Sequence, residues 1–440
     1  MTKGSIDRLG DQIRAEYDEL KENTLIELQE YRTSHKDTIA RVFNVLCNIN
    51  RKNKKDYIVT YRIKRFESII GKLYRFPKMQ FSRMWDIGGC RCIVSTNEEV
   101  YELKALIEKN PYLTIRKEYD YIMSPQPEGY KSLHLFISLI DDNKVIELQI
   151  RNKEDHNWAT LVEITDLLFD AKLKEFGKNK DLLRFHFLLS KRFDLTIDEK
   201  KEISKIIKKY KYFEKLSDVF TRNYIQIRKQ WLEIESKHNH NYFLIETKKD
   251  EVPKITTYKK FEEAEDNYFR IYKNNQTANV VLTHLPKPNY EQISIAYSNY
   301  ILTFHSFLDD CYEIFENLIE KALIDKRYYL FFKNFTLYND IVYNHIKNLV
   351  SEAVELKQIS NRKVNKSVKY KLKQKEQDWV KDINNQVRKR QDKQKRLQVS
   401  FRQNMPKSGI GGFIFKTIVR NISKKYNKKL QKAIFETNIN

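Results

Sequence analysis

The chain has 440 residues, 41% of them hydrophobic and 13% aromatic, enough to bury a sizeable core and to suggest two or three domains. Its net charge of +23 is concentrated at one end: residues 361–440 carry 23 Lys and Arg against 5 Asp and Glu, which leaves residues 1–360 at only +5. No run of about 18 apolar residues occurs, and the first residues lack the apolar centre of a signal peptide, so neither a membrane span nor secretion is expected and a cytoplasmic location is.

In chain order, residues 1–55 read as N-terminal helices. Residues 6–50 contain no proline and carry Leu20, Leu25, Leu28 and Tyr31, then Ile39, Val42, Phe43 and Leu46, at helical spacing. From Asp56 the pattern is a short helix, a strand over 86–95, a helix over 97–109, strands near 112–122, 132–140 and 144–151, and a closing helix over 153–170. This alternation predicts an α+β unit over 56–170, a mixed β-sheet flanked by helices. Residues 171–240 read as a helical connector broken at Gly177. Residues 241–360 read as an accessory α+β and helical region, in which YFLIET and NVVLTHL are strands flanking a helix over 260–273.

Residues 361–440 read as a basic helical tail. Val364, Val368, Leu372, Trp379, Ile383 and Val387 recur at spacings of three, four or seven, a stripe that can dock on the body, a partner helix or a membrane. The charge points to a polyanionic partner, either RNA or the ribosome or an anionic membrane surface, with a merely solvated helix as the plainer reading. The segment GIGGFIFKTIVRNI can insert at a membrane interface or cap the body.

Four segments carry the chemistry. In Arg62-Ile-Lys64-Arg-Phe-Glu-Ser68-Ile-Ile-Gly-Lys72, a helix would place Lys64, Ser68 and Lys72 at i, i+4 and i+8, a face suited to polyphosphate and equally to an ordinary amphipathic helix. In Asp86-Ile-Gly-Gly-Cys-Arg91-Cys, two glycines near the start of an apolar strand point to a bulge or a close ligand approach. Asp86 and Arg91, five apart, would share a pocket only across such a bulge. A carboxylate there can hold Mg²⁺, and a guanidinium can stack on a purine or grip phosphate. Cys90 and Cys92 read as small buried residues on one strand face, and none of the four cysteines shows metal-ligand spacing.

The third segment, Ser124-Pro-Gln-Pro-Glu-Gly129-Tyr130-Lys131-Ser132-Leu-His134, is a punctuated loop feeding a strand. It presents Tyr130 either as a stacking platform for a base or as a core tyrosine. His134, opposite the apolar Leu133 and Leu135, is a proton or phosphate contact or a structural histidine. In the fourth, Val145-Ile-Glu147-Leu-Gln149-Ile-Arg151, three polar side chains share one face of a strand and call for a ligand. His156 and Trp158 follow on the closing helix.

The ordered set R-x-K-x-x-x-S-x-x-x-K, D-I-x-G-x-R, S-P-x-x-x-G-Y-x-S-L-H, E-x-Q-I-R and H-x-W-A resembles the (p)ppGpp synthetase domain of the RelA/SpoT family over about 115 residues. The resemblance implies a nucleotidyltransferase-like fold and pyrophosphate transfer from ATP. It assigns Arg62 and Arg91 to the adenine and Lys64, Ser68 and Lys72 to the phosphates. It gives Asp86 and Glu147 to Mg²⁺, with Glu147 also drawing the proton from a 3′-hydroxyl, and Tyr130, Lys131, His134 and Gln149 to the acceptor.

The chain departs from the family in having no His-Asp dipeptide, so alarmone hydrolysis is not expected. It also carries Gln126 and Glu128 where many members have a basic residue and an asparagine. GDP or GTP is therefore one expected acceptor. The tRNA 3′ end, as in toxic small synthetases with a neutralising antitoxin, is another. A homo-oligomer is a further expected partner, and an idle RNA-binding regulator is a third reading, which the complete set of site residues argues against.

Overall fold

The computed structural model describes residues 1–17, 19–171, 173, 179–217, 227, 230, 231, 234, 240–247, 253–274, 279–296 and 304–360, scattered positions between 373 and 406, and 409–439. The chain divides into two compact units, one made of residues 1–161 and 233–302, the other of 162–232 and 303–440.

The first unit opens with three helices, α1 (Lys3–Ala15), α2 (Glu22–Thr33) and α3 (Lys36–Lys52), followed by β1 (Ile58–Ile63), α4 (Phe66–Arg75), β2 (Gly88–Val94) and α5 (Asn97–Glu108). Next come β3 (Leu113–Asp120), β4 (Leu133–Leu139), β5 (Val145–Asn152) and α6 (Lys153–Phe169), whose later turns enter the second unit. Thr96 starts α5 by accepting a hydrogen bond from the Glu99 N–H, as an N-terminal cap should. After the helices α7 (Lys180–Lys191) and α8 (Ile197–Tyr210) of the second unit, the chain returns with β6 (Tyr242–Thr247), β7 (Lys254–Tyr258), α9 (Phe261–Asn274), β8 (Asn279–His284) and α10 (Tyr290–Ala296).

All eight strands form one sheet in the order β3-β4-β5-β2-β1-β8-β6-β7. Only β2 and β5 run parallel; every other neighbouring pair is antiparallel. The fold is thus the mixed-sheet α+β class the sequence predicts, but larger: YFLIET and NVVLTHL lie not in a separate accessory region but in the same sheet, joined through β8 to β1.

Period-2 alternation sorts the residues to two faces. One face buries Tyr61, Cys90, Cys92, Leu133, Leu135, Leu148, Ile150 and Leu282 against α3 (Ile39, Phe43, Leu46), α5 (Val100, Leu103, Ile107) and α9 (Phe261, Tyr268, Tyr272). Burial pushes the thiols of Cys90 and Cys92 well above their ordinary range, which suits inert core residues. The other face carries Thr60, Gly89, Arg91, His134, Glu147 and Gln149, registered across neighbouring strands. A smaller core of Ile6, Leu9, Ile13, Leu28, Phe66, Ile69, Leu73 and Phe81 seats α4 on α1 and α2.

The second unit is helical. With α7 and α8 it contains α11 (Phe304–Ile324), α12 (Tyr328–Ser360) and α13 (Gly409–Ile439). Thr196 and Glu199 close a capping box at the start of α8. The end of the tail caps this unit: Phe415 packs 4.9 Å from Phe331, and the Tyr426 hydroxyl donates to the Thr336 carbonyl at 3.3 Å and to Asp340. Within GIGGFIFKTIVRNI, Phe415 is buried whereas Ile410 and Phe413 are 82% and 73% exposed. The stripe from Val364 to Val387 and Gly177 lie outside the described residues. Among the described residues no helix is long and apolar enough to cross a membrane.

Candidate active site

The face of the sheet opposite the aliphatic core opens into a cavity of about 180 Å³ lined by Thr60, Arg62 and Lys64 from β1 and its end, Asp86, Gly89, Cys90 and Arg91 at β2, and Glu147 and Gln149 of β5; Val281 and Ala296 complete it. Parallel pairing of β2 with β5 sets Gly89 beside Glu147 and Arg91 beside Gln149, while antiparallel pairing sets Thr60 beside Arg91 and Arg62 beside Gly89.

Two sequence expectations change here. Lys64, Ser68 and Lys72 do not share a helix face. Arg62 lies in β1, and Lys64 lies between β1 and α4, its N–H bonded to the Ile87 carbonyl at 2.8 Å like a continuing strand. Arg65, at φ −65° and ψ 152°, is the extended cap that turns the chain into α4, so only Ser68 and Lys72 are helical. Nor does a bulge bring Asp86 and Arg91 together: pairing is regular from Gly88 onward, and Asp86 precedes the strand, so alternation does not bind it. Gly88 answers to packing rather than to a ligand, since a Cβ there would lie 2.5 Å from Ile39 Cδ1. Gly89 does line the cavity, and its missing Cβ would stand 3.1 Å from the Glu147 carbonyl oxygen.

At one end of the cavity, one oxygen of Asp86 receives Lys64 Nζ at 2.8 Å and Lys72 Nζ at 2.9 Å. Burial would raise the Asp86 carboxyl, but the two ammonium groups outweigh it and hold the group at about 2. Lys64 is itself fixed from behind: the buried Arg32, stacked 4.1 Å from the Phe66 ring centroid, donates from Nε to the Lys64 carbonyl at 2.9 Å. Ser68, one turn before Lys72 on α4, is not among the residues lining the cavity.

On the other side, Glu147 is held at both oxygens, by His134 Nδ1 at 2.9 Å and by Gln149 Nε2 at 2.9 Å. Burial works against its ionised form, yet the His134 hydrogen bond and charge bring the carboxyl below its usual range. His134 Nε2 meets the Tyr130 hydroxyl at 2.7 Å, and Arg151 donates to that hydroxyl and, at 2.9 Å, to Gln149 Oε1. The Arg151 guanidinium lies 4.8 Å from the Tyr130 ring centroid. Tyr121 and Trp158 approach Tyr130 at 6.0 and 6.5 Å, which gives an aromatic wall beside Glu147's partner His134. Gly129, at φ +94°, makes the turn that delivers Tyr130, and Gln126 accepts its N–H at 2.8 Å; Lys131 is half-buried and does not line the cavity.

The site therefore gathers Arg62, Lys64, Asp86, Arg91, Glu147 and Gln149 at one cavity, reaches Lys72 through Asp86, and reaches His134 and Tyr130 through Glu147. Arg151 belongs to this network and was signalled by its place in E-x-Q-x-R. Val281, Ala296 and Arg32 carry no chemical motif, and only the three-dimensional arrangement reveals them.

The donor set can be tested against Mg²⁺. Asp86 Oδ1 is buried with no hydrogen-bond partner, and the charges of Asp86 and Glu147 oppose one another, so a cation between them would be welcome. Among the described residues no group of three or more His, Cys, Asp or Glu could hold a metal. Two carboxylates completed by substrate phosphates is the arrangement that suits Mg²⁺, which keeps few protein ligands.

Residues 61–166 match the family described as a region found in RelA/SpoT proteins. The chain is 37% identical over 111 residues to the GTP pyrophosphokinase YwaC of Bacillus subtilis, covering 23% of this chain and 53% of that protein. It is 32% identical over 96 residues to a guanosine-3′,5′-bis(diphosphate) 3′-pyrophosphohydrolase of Borreliella burgdorferi, covering 22% of this chain and 14% of that one. The small alarmone synthetase 2 structure from Bacillus subtilis aligns at 26% identity over 36% of this chain and 89% of that chain, with a TM-score of 0.32. The chain thus spans little more than half the length of the first relative and a small part of the second. The stretch that matches this family model, residues 61–166, holds both carboxylates and the strand faces around them.

Proposed function

We propose that this protein transfers the β,γ-pyrophosphoryl group of ATP to the 3′-hydroxyl of GDP or GTP, giving (p)ppGpp and AMP. The observation that carries the reading is the division of one cavity: a carboxylate clamped by two lysines at one end, and a carboxylate clamped by a histidine and a glutamine at the other. Pyrophosphoryl transfer asks for charge neutralisation and alignment more than for covalent chemistry, and both are present in this arrangement.

Arg62 and Arg91 hold the adenine, and Lys64 and Lys72, assisted by Ser68, hold the phosphates. In the free chain Asp86 occupies both lysines. When ATP enters, the lysines exchange Asp86 for phosphate oxygens, and Asp86 and Glu147 are the residues that would hold Mg²⁺. The ion would supply charge neutralisation at the transferring phosphates. Glu147, kept ionised by His134, takes the proton from the 3′-hydroxyl as that oxygen bonds to the β-phosphorus and the bond from the β-phosphorus to the AMP oxygen breaks. Tyr130 stacks on the acceptor base, with its hydroxyl fixed by His134 and Arg151; Gln149 orients Glu147, and Lys131 lies beside the acceptor. Hydrolysis of the product is not part of the proposed activity.

A second acceptor, the tRNA 3′ end, is favoured by two features of the sequence: the net charge of +18 over residues 361–440, and an acceptor loop that carries Gln126 and Glu128. The test is incubation of the purified chain with γ-labelled ATP, Mg²⁺ and GDP, GTP or deacylated tRNA. Label in guanine nucleotide supports the first reading, and label in tRNA alone replaces it with the second. Glu147→Gln should lower transfer by at least about 100-fold while ATP still binds, as loss of a general base does. Transfer equal to that of the unaltered chain would refute the role given to Glu147.

A further inference from the structure

The helical unit has a second cavity, about 90 Å³, between α8, α11 and the start of α12, room for several waters or one phosphoryl group. Five cations stand around it, Lys201, Lys205, Lys321, Arg327 and Lys333, against one acid, Asp325. Lys201 is neutralised by Asp198 at 2.7 Å and Lys321 by Asp325 at 3.0 Å. Lys205 and Lys333 have no carboxylate within ion-pair distance among the described residues, and Arg327 shares the field of Asp198, whose carboxyl it helps to hold down. Five cations against Asp325 and the nearby Asp198 leave the rim of this concavity with an excess of positive charge, which an anion would offset.

The floor is polar as well. Asn334 and Ser204 are buried, at 8% and 6% exposure. The Ser204 hydroxyl donates to Asn334 Oδ1 at 3.4 Å, which leaves the Asn334 amide N–H groups with no acceptor among the described residues. The Asn334 carboxamide lines the cavity, so its N–H groups are open to whatever occupies it. The turn that presents Arg327 is fixed: Lys326 adopts φ +56°, and the Arg327 N–H bonds to the Ala322 carbonyl at 2.8 Å. Asn334 and the lysine and arginine side chains thus bring donors and positive charge to this site, in excess of the acid Asp325.

We propose that this cavity binds a phosphoryl dianion, either inorganic phosphate or the terminal phosphate of a phosphorylated small molecule. A monocarboxylate would leave the excess of positive charge uncompensated. The cavity is half the volume of the catalytic one, so a phosphoryl group enters it and any attached nucleoside stays outside. The inference does not depend on the reaction proposed for the other unit.

The test uses the full chain carrying Lys72→Ala, so that phosphate binding at the catalytic cavity is weakened, titrated by calorimetry with phosphate, tripolyphosphate and a nucleoside triphosphate. One saturable site is expected, its Kd rising at least about 10-fold in Arg327→Ala/Lys333→Ala and remaining unchanged in Lys424→Ala/Lys428→Ala, which removes equal charge elsewhere. Asn334→Leu, similar in volume, should also weaken binding, and phosphate should raise the melting temperature of the Lys72→Ala chain but not of that same chain carrying Asn334→Leu. Tighter binding of the nucleotide than of tripolyphosphate identifies a nucleotide as the source, and equal binding identifies the inorganic anion. No saturable binding, or equal loss in both double-alanine variants, overturns the proposal.

Discussion

Replacing Asp86 by asparagine keeps the outline of the side chain and removes its charge, and the surroundings define what should follow. One carboxylate oxygen answers Lys64 Nζ at 2.8 Å and Lys72 Nζ at 2.9 Å in a largely buried setting. The carboxyl, ordinarily near 3.8, is held at about 2, a difference worth about 2 kcal/mol. Because the folded value is the lower one, this stabilisation is complete above the ordinary carboxylate range and is lost as pH falls from about 4 through about 2. Asparagine forfeits it at neutral pH and also strands two ammonium groups beside each other, so the total loss should reach about 3 kcal/mol. Backbone hydrogen exchange at Lys64 and along Gly88–Val94 reads this locally: protection at pH 7 should drop by roughly 30-fold or more. Lys72→Met in the Asp86→Asn background should recover part of the loss, because one unpaired cation goes with it. If the two substitutions add within about 0.5 kcal/mol, no coupling links these groups and the reasoning fails.

Other outcomes follow from neighbouring geometry. Gly88→Ala should destabilise by about 1–3 kcal/mol, because its Cβ would lie 2.5 Å from the buried Ile39 Cδ1, and Ile39→Ala should rescue it; an unchanged melting temperature would contradict the packing argument. Val281→Trp should fill the wall of the catalytic cavity and raise the Kd for ATP several-fold with little change in stability, measured by calorimetry; unaltered ATP binding would show that the donor does not use that wall.

The sequence revealed this site unevenly, for physical reasons. Apolar and polar residues alternate over Leu133–Leu135 of β4 and Ile146–Arg151 of β5, so spacing alone sets His134 opposite its apolar neighbours and puts Glu147 with Gln149, while the strand pairing brings the two sets to one face. The segment over β1 misled because Lys64, Ser68 and Lys72 satisfy helical spacing while the hydrogen bonds of Lys64 belong to the sheet edge. In β1 itself Ile58, Val59, Thr60 and Tyr61 are all buried, so no alternation marked it as a strand. Gly88 reads in the sequence like a ligand-facing glycine, and only the position of Ile39 gives its purpose. The contribution of β8 and α10 to the cavity had no local signal at all, since Val281 and Ala296 are ordinary apolar residues placed by long-range pairing.

That pairing has a consequence in time. Synthesis proceeds at about 5–20 residues per second, so β8, roughly 220 residues after β1, leaves the ribosome on the order of ten seconds or more later. Throughout that interval the β1 edge that will receive Val59↔His284, Thr60↔Thr283 and Tyr61↔Leu282 is an open template for any other strand. A nascent chain that already contains every motif residue from Arg62 to Arg151 still lacks one wall of its catalytic cavity, so the order in which the polypeptide emerges delays completion of that cavity until the last strand arrives.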